Sequence, residues 1–213
     1  MLNNPPMTQS SFYSLLKKRR MVRHYSGEPV ARDVLERIVA TVRRAPSAGF
    51  SQGQRLLVVD DPEILARIAA LGDDDLPEGV EPWFETAAAH VFVMTCEQDY
   101  HDRYTRQDKL DATGGEEIVW PVPFWHVDAG AAMMLVLLAA IQEGLAAAVY
   151  GIVGGEDDQK LRDLLGIPDD FTLVAGISIG YPLPDPGWSA KTSRATQRRR
   201  TLDEVVQWNH WSS

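Results

Sequence analysis

The sequence predicts a mixed α/β fold, on the strength of three observations. Short apolar runs with strand composition alternate along the chain with stretches of helical periodicity. The length of 213 residues suits one domain with a substantial core and is short for two. A hydrophobic share of 45% and a charged share of 24% are typical of soluble globular proteins. We therefore expect a flexible N-terminal tail over residues 1–10 and one domain over 11–213, in which 183–213 form a C-terminal extension.

The first half of the chain alternates helical and strand patterns. The predicted elements are helices at 11–18 and 30–44, a strand at 55–60, a helix that begins at Pro62, a short helix at 83–88 and a strand at 90–95. The segment 19–29 has no helical period and contains glycine and proline, which predicts an extended loop. Residues 72–82 are predicted to be an acidic loop, and 98–123 to be mostly irregular.

The second half begins with the most apolar segment of the sequence. Asp128 is predicted to cap a helix over 129–143, which Gly144 ends. The helix is apolar nearly all round, which predicts burial on every side and a place at the centre of a dimer interface. Its apolar stretch is shorter than the roughly 20 residues of a membrane span, so we expect no membrane partner. The remaining predicted elements are strands at 145–152 and 171–179, a helix at 157–165, and a last helix at 201–208 that starts with a capping box of Thr201 and Glu204.

The charge of the chain limits its partners. The formal net charge is −9 and the pI is near 5.0. Binding to nucleic acid needs a summed positive field, so we expect no nucleic-acid partner. The positive charge is concentrated in two clusters, one of Lys17, Lys18, Arg19, Arg20 and Arg23 and one of Arg194, Arg198, Arg199 and Arg200. Each cluster could serve one anionic ligand.

Several other kinds of site are not expected. The single cysteine, Cys96, excludes an internal disulfide and a cysteine metal cluster, and its apolar surroundings predict a buried, inert thiol in a strand. The five histidines lack the spacing of metal ligands, so no metal is expected. The first nine residues lack the apolar core of a signal peptide, and we expect a cytoplasmic protein.

One motif is misleading. Residues 176–180 match the Gly-x-Ser-x-Gly pattern of serine hydrolases, with Ser178 at its centre. That motif requires a strand, a sharp turn and a helix, whereas here it lies inside a predicted strand and a proline-rich stretch follows. We therefore expect no hydrolase. Neither a P-loop nor a Gly-x-Gly-x-x-Gly fingerprint occurs, so any phosphate must be held by side chains.

The first arginine cluster could bind a flavin. Arg19 and Arg23 lie four residues apart in an extended segment and could touch different parts of one ligand. Flavin mononucleotide (FMN) needs a site for its dianionic phosphate and a cation near N1 and O2, and arginine suits both tasks. Taken alone, the cluster is more typical of a solvated cationic helix end than of a ligand site.

A longer pattern runs through most of the chain. It comprises Arg-Arg-Met-Val-Arg-His-Tyr at 19–25, Pro29-Val30, Ala-Pro-Ser-Ala-Gly-Phe-Ser-Gln at 45–52, Asp-Ala-Gly-Ala-Ala-Met-Met at 128–134, Glu-Gly-Leu at 143–145, and the stretch from Arg199 to Trp211. This pattern resembles the nitroreductase superfamily, and its Gly-Phe-Ser-Gln form looks most like the branch that includes 5,6-dimethylbenzimidazole synthase. The resemblance implies the nitroreductase fold, with a mixed, mainly antiparallel sheet flanked by helices in an intertwined homodimer.

The resemblance also implies a set of cofactor-binding residues. Arg19, Arg20, Met21 and Arg23 would lie along the phosphate, the ribityl chain and the ring edge, and Arg198 and Arg200 would add phosphate contacts. Pro46, Ser47, Ala48 and Gln52 would approach the flavin from the partner subunit, and the backbone of Val149, Tyr150 and Gly151 would lie against the ring. No catalytic side chain is assigned, because the flavin N5 carries the chemistry.

The function that the resemblance implies is an FMN-dependent oxidoreductase. NADH or NADPH would reduce FMN, and FMN would reduce a small nitroaromatic, quinone or related acceptor by a ping-pong mechanism. Two alternatives stay open, a flavin-fragmenting enzyme of the dimethylbenzimidazole synthase kind and a flavin-binding or storage protein without turnover. The synthases have an aspartate and a serine where this chain has Met21 and Gly151, which cannot relay a proton.

Two further expectations concern the surroundings of the flavin. Where the family often has Gln-Pro-Trp, this chain has Gln-Gly-Gln at 52–54, which should make the loop more mobile. The acceptor side is expected around Trp83-Phe84 and residues 100–125, where Trp120, Phe124 and Trp125 could stack on a flat acceptor. These aromatic residues could equally close the core or the dimer seam.

Overall fold

The centre of the fold is a four-stranded antiparallel sheet. Its strands are β1 (Gln54–Val59), β2 (Ala89–Thr95), β3 (Ala146–Tyr150) and β4 (Thr172–Gly180), in the spatial order β1-β2-β4-β3. The computed structural model describes residues 11–72, 82–152, 156–184 and 198–211. The four predicted strands are confirmed, since the apolar, largely β-branched or alanine-rich runs are buried in this sheet.

The described part of the chain also contains helices. They are α1 (Ser11–Lys18), α2 (Arg32–Val39), α3 (Pro62–Gly72), α4 (Gln98–Tyr104), α5 (Gln107–Thr113), α6 (Phe124–Gln142), α7 (Glu156–Leu165) and α8 (Leu202–Val205), with 3-10 turns at Ala40–Arg44 and Ala48–Phe50. The predicted helix 30–44 is therefore an α-helix that tightens into a 3-10 turn. The predicted extended loop at 19–29 is confirmed, because the only regular pairing there is a bridge between Tyr25 and Pro182.

The main core lies between the sheet and the helices α2 and α6. Successive side chains of a strand point to opposite faces, so alternate residues of β2, β3 and β4 share this face. The buried members are Val91, Val93, Ala147, Ile177 and Ile179 from the sheet and Leu35, Ile38, Ala129, Val136, Leu137 and Ala140 from the helices. Each large aliphatic side chain buried here contributes about 1.5–3 kcal/mol.

The opposite face of the sheet carries an aromatic layer. Trp83 and Phe84 stack with a centroid distance of 3.9 Å, and the rings of His90, Phe92 and Tyr150 pack around them. Helices α3 and α7 contact each other on this side. The sheet is therefore covered on both faces, and its functional groups must lie at its edges and strand ends.

Helix α6 differs from its prediction in length. It starts at Phe124, so Asp128 lies inside the helix and does not cap it. Its 19 residues are long and apolar enough to cross a membrane by length and composition, a test that core helices also pass. Residues such as Ala129 and Val136 are fully buried in the core, whereas Val127 and Met134 are exposed, so one side of α6 belongs to the core and the expected burial on every side is not found within one chain. Gly144, with a φ of 81°, follows its end as predicted.

Two other predictions were wrong. The predicted short helix at 83–88 is a turn, because Ala88 already donates its backbone N–H to Ile179 O in the sheet. The stretch 98–123 was predicted to be mostly irregular but contains α4 and α5. Both helices are polar, and burial of Tyr100 together with local side-chain pairs stabilises them without a long apolar stripe.

The chain divides into two compact units, Met1–Leu183 and Pro184–Ser213. The first contains the sheet. In the second, the capping box of Thr201 and Glu204 is present as predicted, but the helix it starts, α8, is only four residues long. The predicted tail at 1–10 and Arg194 lie outside the described residues.

Candidate functional site

The first predicted site element, residues 19–23, is here called the arginine segment. It runs beside β3 at one edge of the sheet, where Val22 N–H donates to Ala147 O at 3.4 Å. Just beyond it, Ser26 N–H donates to Tyr181 O at 3.0 Å, and Tyr25 forms the bridge to Pro182. The segment is therefore held against the sheet by its backbone, which leaves its side chains for other partners.

Arg23 joins two of the predicted site elements. Its Nη2 donates to Val149 O at 3.0 Å, and its guanidinium lies 5.4 Å from the centroid of the Trp83 ring. A cation over an aromatic face is attracted by the ring quadrupole. Arg23 is thus fixed from two directions and brings a permanent positive charge to the end of β3, next to Tyr150 and Gly151.

Arg19 has an unused donor. Its Nη1 is buried and has no hydrogen-bond partner among the described residues. Buried polar groups are nearly always satisfied, so such an atom points to a missing partner. Arg20 is exposed, and its Nη1 donates to Lys17 O at 3.1 Å and Arg19 O at 3.3 Å. Met21 is partly buried and packs against the core cluster.

The end of β3 is supported by a buried pair of polar side chains. The hydroxyl of Tyr150 and Nδ1 of His90 are 2.8 Å apart. Burial raises the pKa of the Tyr150 hydroxyl far above its usual value, and burial lowers the pKa of His90 to about 4. Both groups are therefore neutral near pH 7, and the pair fixes β3 to β2 across β4. Gly151 is exposed and offers only backbone.

The Gly-x-Ser-x-Gly motif has a structural explanation. It lies within β4, as predicted, and Ser178 is buried with its Oγ 2.8 Å from the Tyr25 hydroxyl. A Cβ on Gly176 would collide with the Tyr150 ring, and one on Gly180 would lie 2.9 Å from Tyr25 Cδ1. The two glycines make room for two tyrosine rings that lie across the sheet, and the serine holds one of them.

The second predicted site element, residues 47–53, is here called the pinned loop. Gly49, Phe50 and Gln52 have φ values of 58°, 61° and 54°, in the left-handed region. This conformation is rare for a bulky residue such as Phe50 and is seen only where the surroundings impose it. Within the loop, Gln52 N–H donates to Ser47 Oγ at 3.0 Å and Ser51 Oγ donates to Ala48 O at 2.7 Å.

Two side chains from other parts of the chain bind the backbone of the pinned loop and hold it in place. Asp128 Oδ2 accepts hydrogen bonds from Ala48 N–H and from the Tyr100 hydroxyl, both at 2.8 Å. Arg103 Nε donates to Gly49 O at 2.8 Å, and the same guanidinium makes a bidentate ion pair with the carboxylate of Asp108. Burial, followed by the bond to Asp128, raises the pKa of the Tyr100 hydroxyl above its usual value.

The sequence did not reveal these supporting roles. Asp128 was predicted as a helix cap and residues 98–123 as mostly irregular, so neither was connected with the loop. The expectation that Gly53 makes the loop more mobile misses its structural role. Gly53 is buried, its carbonyl accepts from Cys96 N–H at 3.0 Å, and a Cβ there would collide with the Tyr100 ring. Glycine is required here by close packing. Cys96 itself is buried, as predicted, directly after β2.

The two site elements attach to opposite edges of the sheet. The pinned loop leads into β1, where Gln54 pairs with Thr95, which in turn pairs with Thr172 of β4. The arginine segment lies beside β3, whose Tyr150 pairs with Gly176. The contacts of the arginine segment on β3, Ala147 O and Val149 O, lie opposite Ile179 and Ile177, so three strand spacings and at least five residues along β4, about 22 Å, separate the two attachment points. One chain therefore does not bring its two site elements together.

The aromatic residues predicted for the acceptor side form their own cluster. Trp120 packs on Tyr104 with a centroid distance of 4.5 Å, and Trp125 is buried against Tyr100. Trp120 Nε1 donates to Glu117 Oε1 at 2.7 Å. The same Oε1 bonds His101 Nδ1 at 2.6 Å and raises the pKa of His101. This cluster lies behind the pinned loop, whereas Trp83 and Phe84 lie in the aromatic layer by Arg23.

The second basic cluster belongs to the C-terminal unit. Arg198 donates from Nη1 and Nη2 to the two carboxylate oxygens of Glu204, each at 2.7 Å. This ion pair and the capping box lower the pKa of Glu204 to about 2. Arg199 and Arg200 are exposed. Among the described residues, no group of three or more histidine, cysteine or acidic side chains could hold a metal ion.

Comparisons with known proteins identify the family. The model of the nitroreductase family matches residues 16–181, most of the chain and both site elements. The chain is 32% identical over 186 residues to the FMN reductase (NAD(P)H) of Bacillus subtilis (strain 168), covering 85% of this chain and 69% of the relative. It is 24% identical to an NADPH-dependent oxidoreductase of Staphylococcus aureus (strain USA300), covering 84% and 68%. The chain belongs to the nitroreductase family.

Solved structures confirm the fold. Nitroreductase A from Vibrio parahaemolyticus superposes with a TM-score of 0.68 at 22% identity, covering 96% of this chain and 77% of that one. An FMN-dependent nitroreductase from Clostridium difficile superposes with a TM-score of 0.63 at 20% identity, covering 93% and 99%. The predicted nitroreductase fold is therefore correct, with an antiparallel sheet in the described part of the chain.

Proposed function

We infer that this protein is an NAD(P)H-dependent oxidoreductase of the nitroreductase type that uses FMN. The observation that carries the inference is the buried Nη1 of Arg19, a charged donor without a partner among the described residues, in a segment fixed beside the end of β3. Leaving a charged donor buried and unpaired costs free energy, and a bound anion removes that cost. The names of the relatives, FMN reductase and NADPH-dependent oxidoreductase, support the same reaction.

The arginine segment fits a flavin phosphate and ring edge. Arg19 and Arg20 would hold the phosphate, since one has a buried unused donor and the other an exposed guanidinium. Arg23, held by Val149 O, would place its charge at the ring edge. Arg200 is proposed as a further phosphate ligand, and Arg198 could join it only by giving up part of its ion pair with Glu204.

The chain contributes binding and electrostatics to the reaction. When bound, FMN supplies the exchange of a hydride with NAD(P)H and then with the acceptor, in ping-pong order. Arg23 stabilises negative charge at the ring edge without reorganising, because its guanidinium is already fixed. Met21 is packed on the core and Gly151 has no side chain, so neither holds a proton and protons come from solvent. The same two residues argue against flavin fragmentation.

We propose that the active form is a homodimer in which the arginine segment of one chain meets the pinned loop of the other. Within one chain the two are attached about 22 Å apart. Exposed apolar side chains on α1 and α6 supply a surface for a subunit contact, namely Phe12, Tyr13 and Leu16 with Val127 and Met134. Such a face is typical of an oligomer interface.

Two further parts of the proposal concern the electron acceptor and the cellular compartment of the protein. We propose a small, flat acceptor such as a quinone or nitroaromatic, since aromatic side chains are grouped near both site elements and offer stacking surfaces. We propose the cytoplasm as the compartment, because a reductase that uses NAD(P)H works where this dinucleotide is kept reduced.

The experiment is a visible absorption spectrum of the purified protein, recorded before and after anaerobic addition of NADH or NADPH. We expect flavin bands near roughly 370 and 450 nm that bleach on reduction. A protein that takes up no FMN contradicts the cofactor assignment. A protein that binds FMN but is reduced by neither dinucleotide is a flavin-binding or storage protein, which contradicts the reductase assignment and leaves the site intact.

A further inference from the structure

We propose that Phe50 is a specificity-determining residue that the pinned loop places in the partner subunit's site, where its ring stacks on a flat aromatic acceptor. The inference rests on the proposed function and adds to it a residue that selects the acceptor. It starts from the contrast between the Phe50 backbone, which is tightly fixed, and the Phe50 ring, which is 73% exposed.

The backbone of Phe50 is held in an unfavourable conformation. Its φ of 61° costs about 1–3 kcal/mol for a bulky residue. The loop cannot relax, because Asp128 holds Ala48 on one side of Phe50 and Arg103 holds the carbonyl of Gly49 directly before it. Glycine or asparagine would adopt this conformation more easily. The presence of phenylalanine therefore calls for a use of its side chain.

The ring of Phe50 has little apolar surface to pack against on its own chain. It stands at the rim of a depression whose other walls are charged or polar, among them Asp99, Asp102, Arg106 and Asp108. An aromatic ring gains little free energy from contact with such charged and polar side chains. An exposed aromatic side chain on a rigid support has the properties of a preorganised contact residue, since little conformational entropy is lost on binding.

The position of the loop determines which site the ring can serve. Its own chain's arginine segment attaches about 22 Å away across the sheet, so the Phe50 ring serves the partner subunit's site and not its own. A ring brought to that site from another subunit can cover the acceptor or the dinucleotide. We assign it to the acceptor, because a nicotinamide also binds through its charged phosphates, and Phe50 carries no charge.

The test compares acceptors in the full-length holoenzyme. Phe50→Asn keeps a residue that tolerates the left-handed backbone and removes the ring, and Phe50→Trp keeps an aromatic face. For a flat naphthoquinone we expect kcat/KM to fall about tenfold in Phe50→Asn and to stay near wild type in Phe50→Trp. For ferricyanide, which needs no stacking, both variants should match wild type. Thermal stability should not fall in Phe50→Asn, since backbone strain is relieved.

A mixed dimer tests whether Phe50 acts in the partner's site. One subunit carries Phe50→Asn, and the other carries Arg19→Ala with Arg20→Ala, which prevents it from holding flavin phosphate. The single intact arginine segment then faces the loop that retains Phe50, and we expect the wild-type KM for the naphthoquinone. A raised KM would mean that Phe50 acts within its own chain and would overturn the assignment.

The outcomes separate this inference from the proposed function. If wild-type protein binds no FMN, the proposed function fails and this inference fails with it. If FMN binds and bleaches normally in Phe50→Asn but the naphthoquinone and ferricyanide constants are both unchanged, the role of Phe50 is wrong and the proposed function stands. Equal losses with both acceptors would show a general structural effect and would also overturn the inference.

Discussion

The arginine segment and the pinned loop are fixed to the fold in opposite ways. The arginine segment is held by its backbone beside β3, and it keeps a buried donor, Arg19 Nη1, without a partner among the described residues. In the pinned loop, by contrast, the buried Asp128 side chain of α6 and the half-buried Arg103 side chain of α4 bind the backbone. The arginine segment therefore has side chains available for a ligand, whereas the pinned loop has a backbone that is fixed in one conformation.

This difference predicts which property each region controls. Removing a side chain that is available for a ligand should weaken binding and should not lower the free energy of unfolding of the cofactor-free protein. Removing a side chain that satisfies buried backbone groups should destabilise the fold even without ligand.

The largest effect is expected at Asp128. Asp128→Ala leaves the Ala48 N–H and the Tyr100 hydroxyl without their acceptor, and each unsatisfied group costs about 1–3 kcal/mol, so we expect a loss of about 4 kcal/mol. Urea unfolding measures it. Asp102→Ala, at an exposed position on α4, is the matched control and should cost less than about 0.5 kcal/mol. A loss below about 1 kcal/mol in Asp128→Ala would show that the loop is not pinned.

The second effect concerns acid and the support of β3. His90 is buried and neutral, with a pKa of about 4 in the folded protein against 6.5 when exposed. The unfolded chain therefore binds the additional proton, so this stability is present above pH 6.5 and is lost as the pH falls toward 4. We expect a loss of about 3 kcal/mol.

His90→Gln keeps a polar partner for Tyr150 and does not titrate, so it isolates this contribution from that of the carboxylates. The free energy of unfolding of the wild type, minus that of the variant, should decline between pH 6.5 and 4. A difference that is independent of pH would contradict the burial of a neutral His90.

The third effect is on binding alone. Arg19→Ala should raise the Kd for FMN about 30-fold, because a hydrogen bond to a charged group contributes about 2 kcal/mol. The free energy of unfolding of the cofactor-free protein should not fall, since Arg19 Nη1 has no partner among the described residues to lose and its burial is itself unfavourable. Arg32→Ala is the control, since Arg32 is exposed and paired with Asp60. Unchanged FMN affinity in Arg19→Ala would remove the phosphate assignment.

The smallest effect is expected at the exposed end of the pinned loop. Asp99 pairs with Arg55 at 3.0 Å, and both side chains are substantially exposed. Asp99→Asn should change the free energy of unfolding by less than about 1 kcal/mol, because solvent screens such pairs. A loss as large as that of Asp128→Ala would mean that exposed ion pairs, and not buried hydrogen bonds, hold the loop.

The sequence predicted the arginine segment better than the pinned loop, for a physical reason. Charge and apolar periodicity are local properties, so the strands and the cation cluster could be located from neighbouring residues. The contact of Arg23 with Val149 joins two elements that the family resemblance had already named. The register of the sheet, by contrast, could not be read from composition.

What the sequence could not predict depends on distant contacts. Aspartate is a residue type that commonly caps helices, so the sequence suggested this role for Asp128. Because α6 begins earlier, at Phe124, Asp128 lies inside the helix and its carboxylate accepts from Ala48 N–H. Helices α4 and α5 lack an apolar stripe and were expected to be mostly irregular. The left-handed φ of Phe50 has no signal in a residue type that normally avoids it.

The most direct test of the account is sedimentation of the holoprotein, followed at about 450 nm, where oxidised flavin absorbs. We predict that all of this absorbance sediments at twice the 23.7 kDa mass of one chain and that dilution to monomers releases the flavin. Flavin absorbance that sediments with a single chain would contradict a site built from the arginine segment of one subunit and the pinned loop of the other.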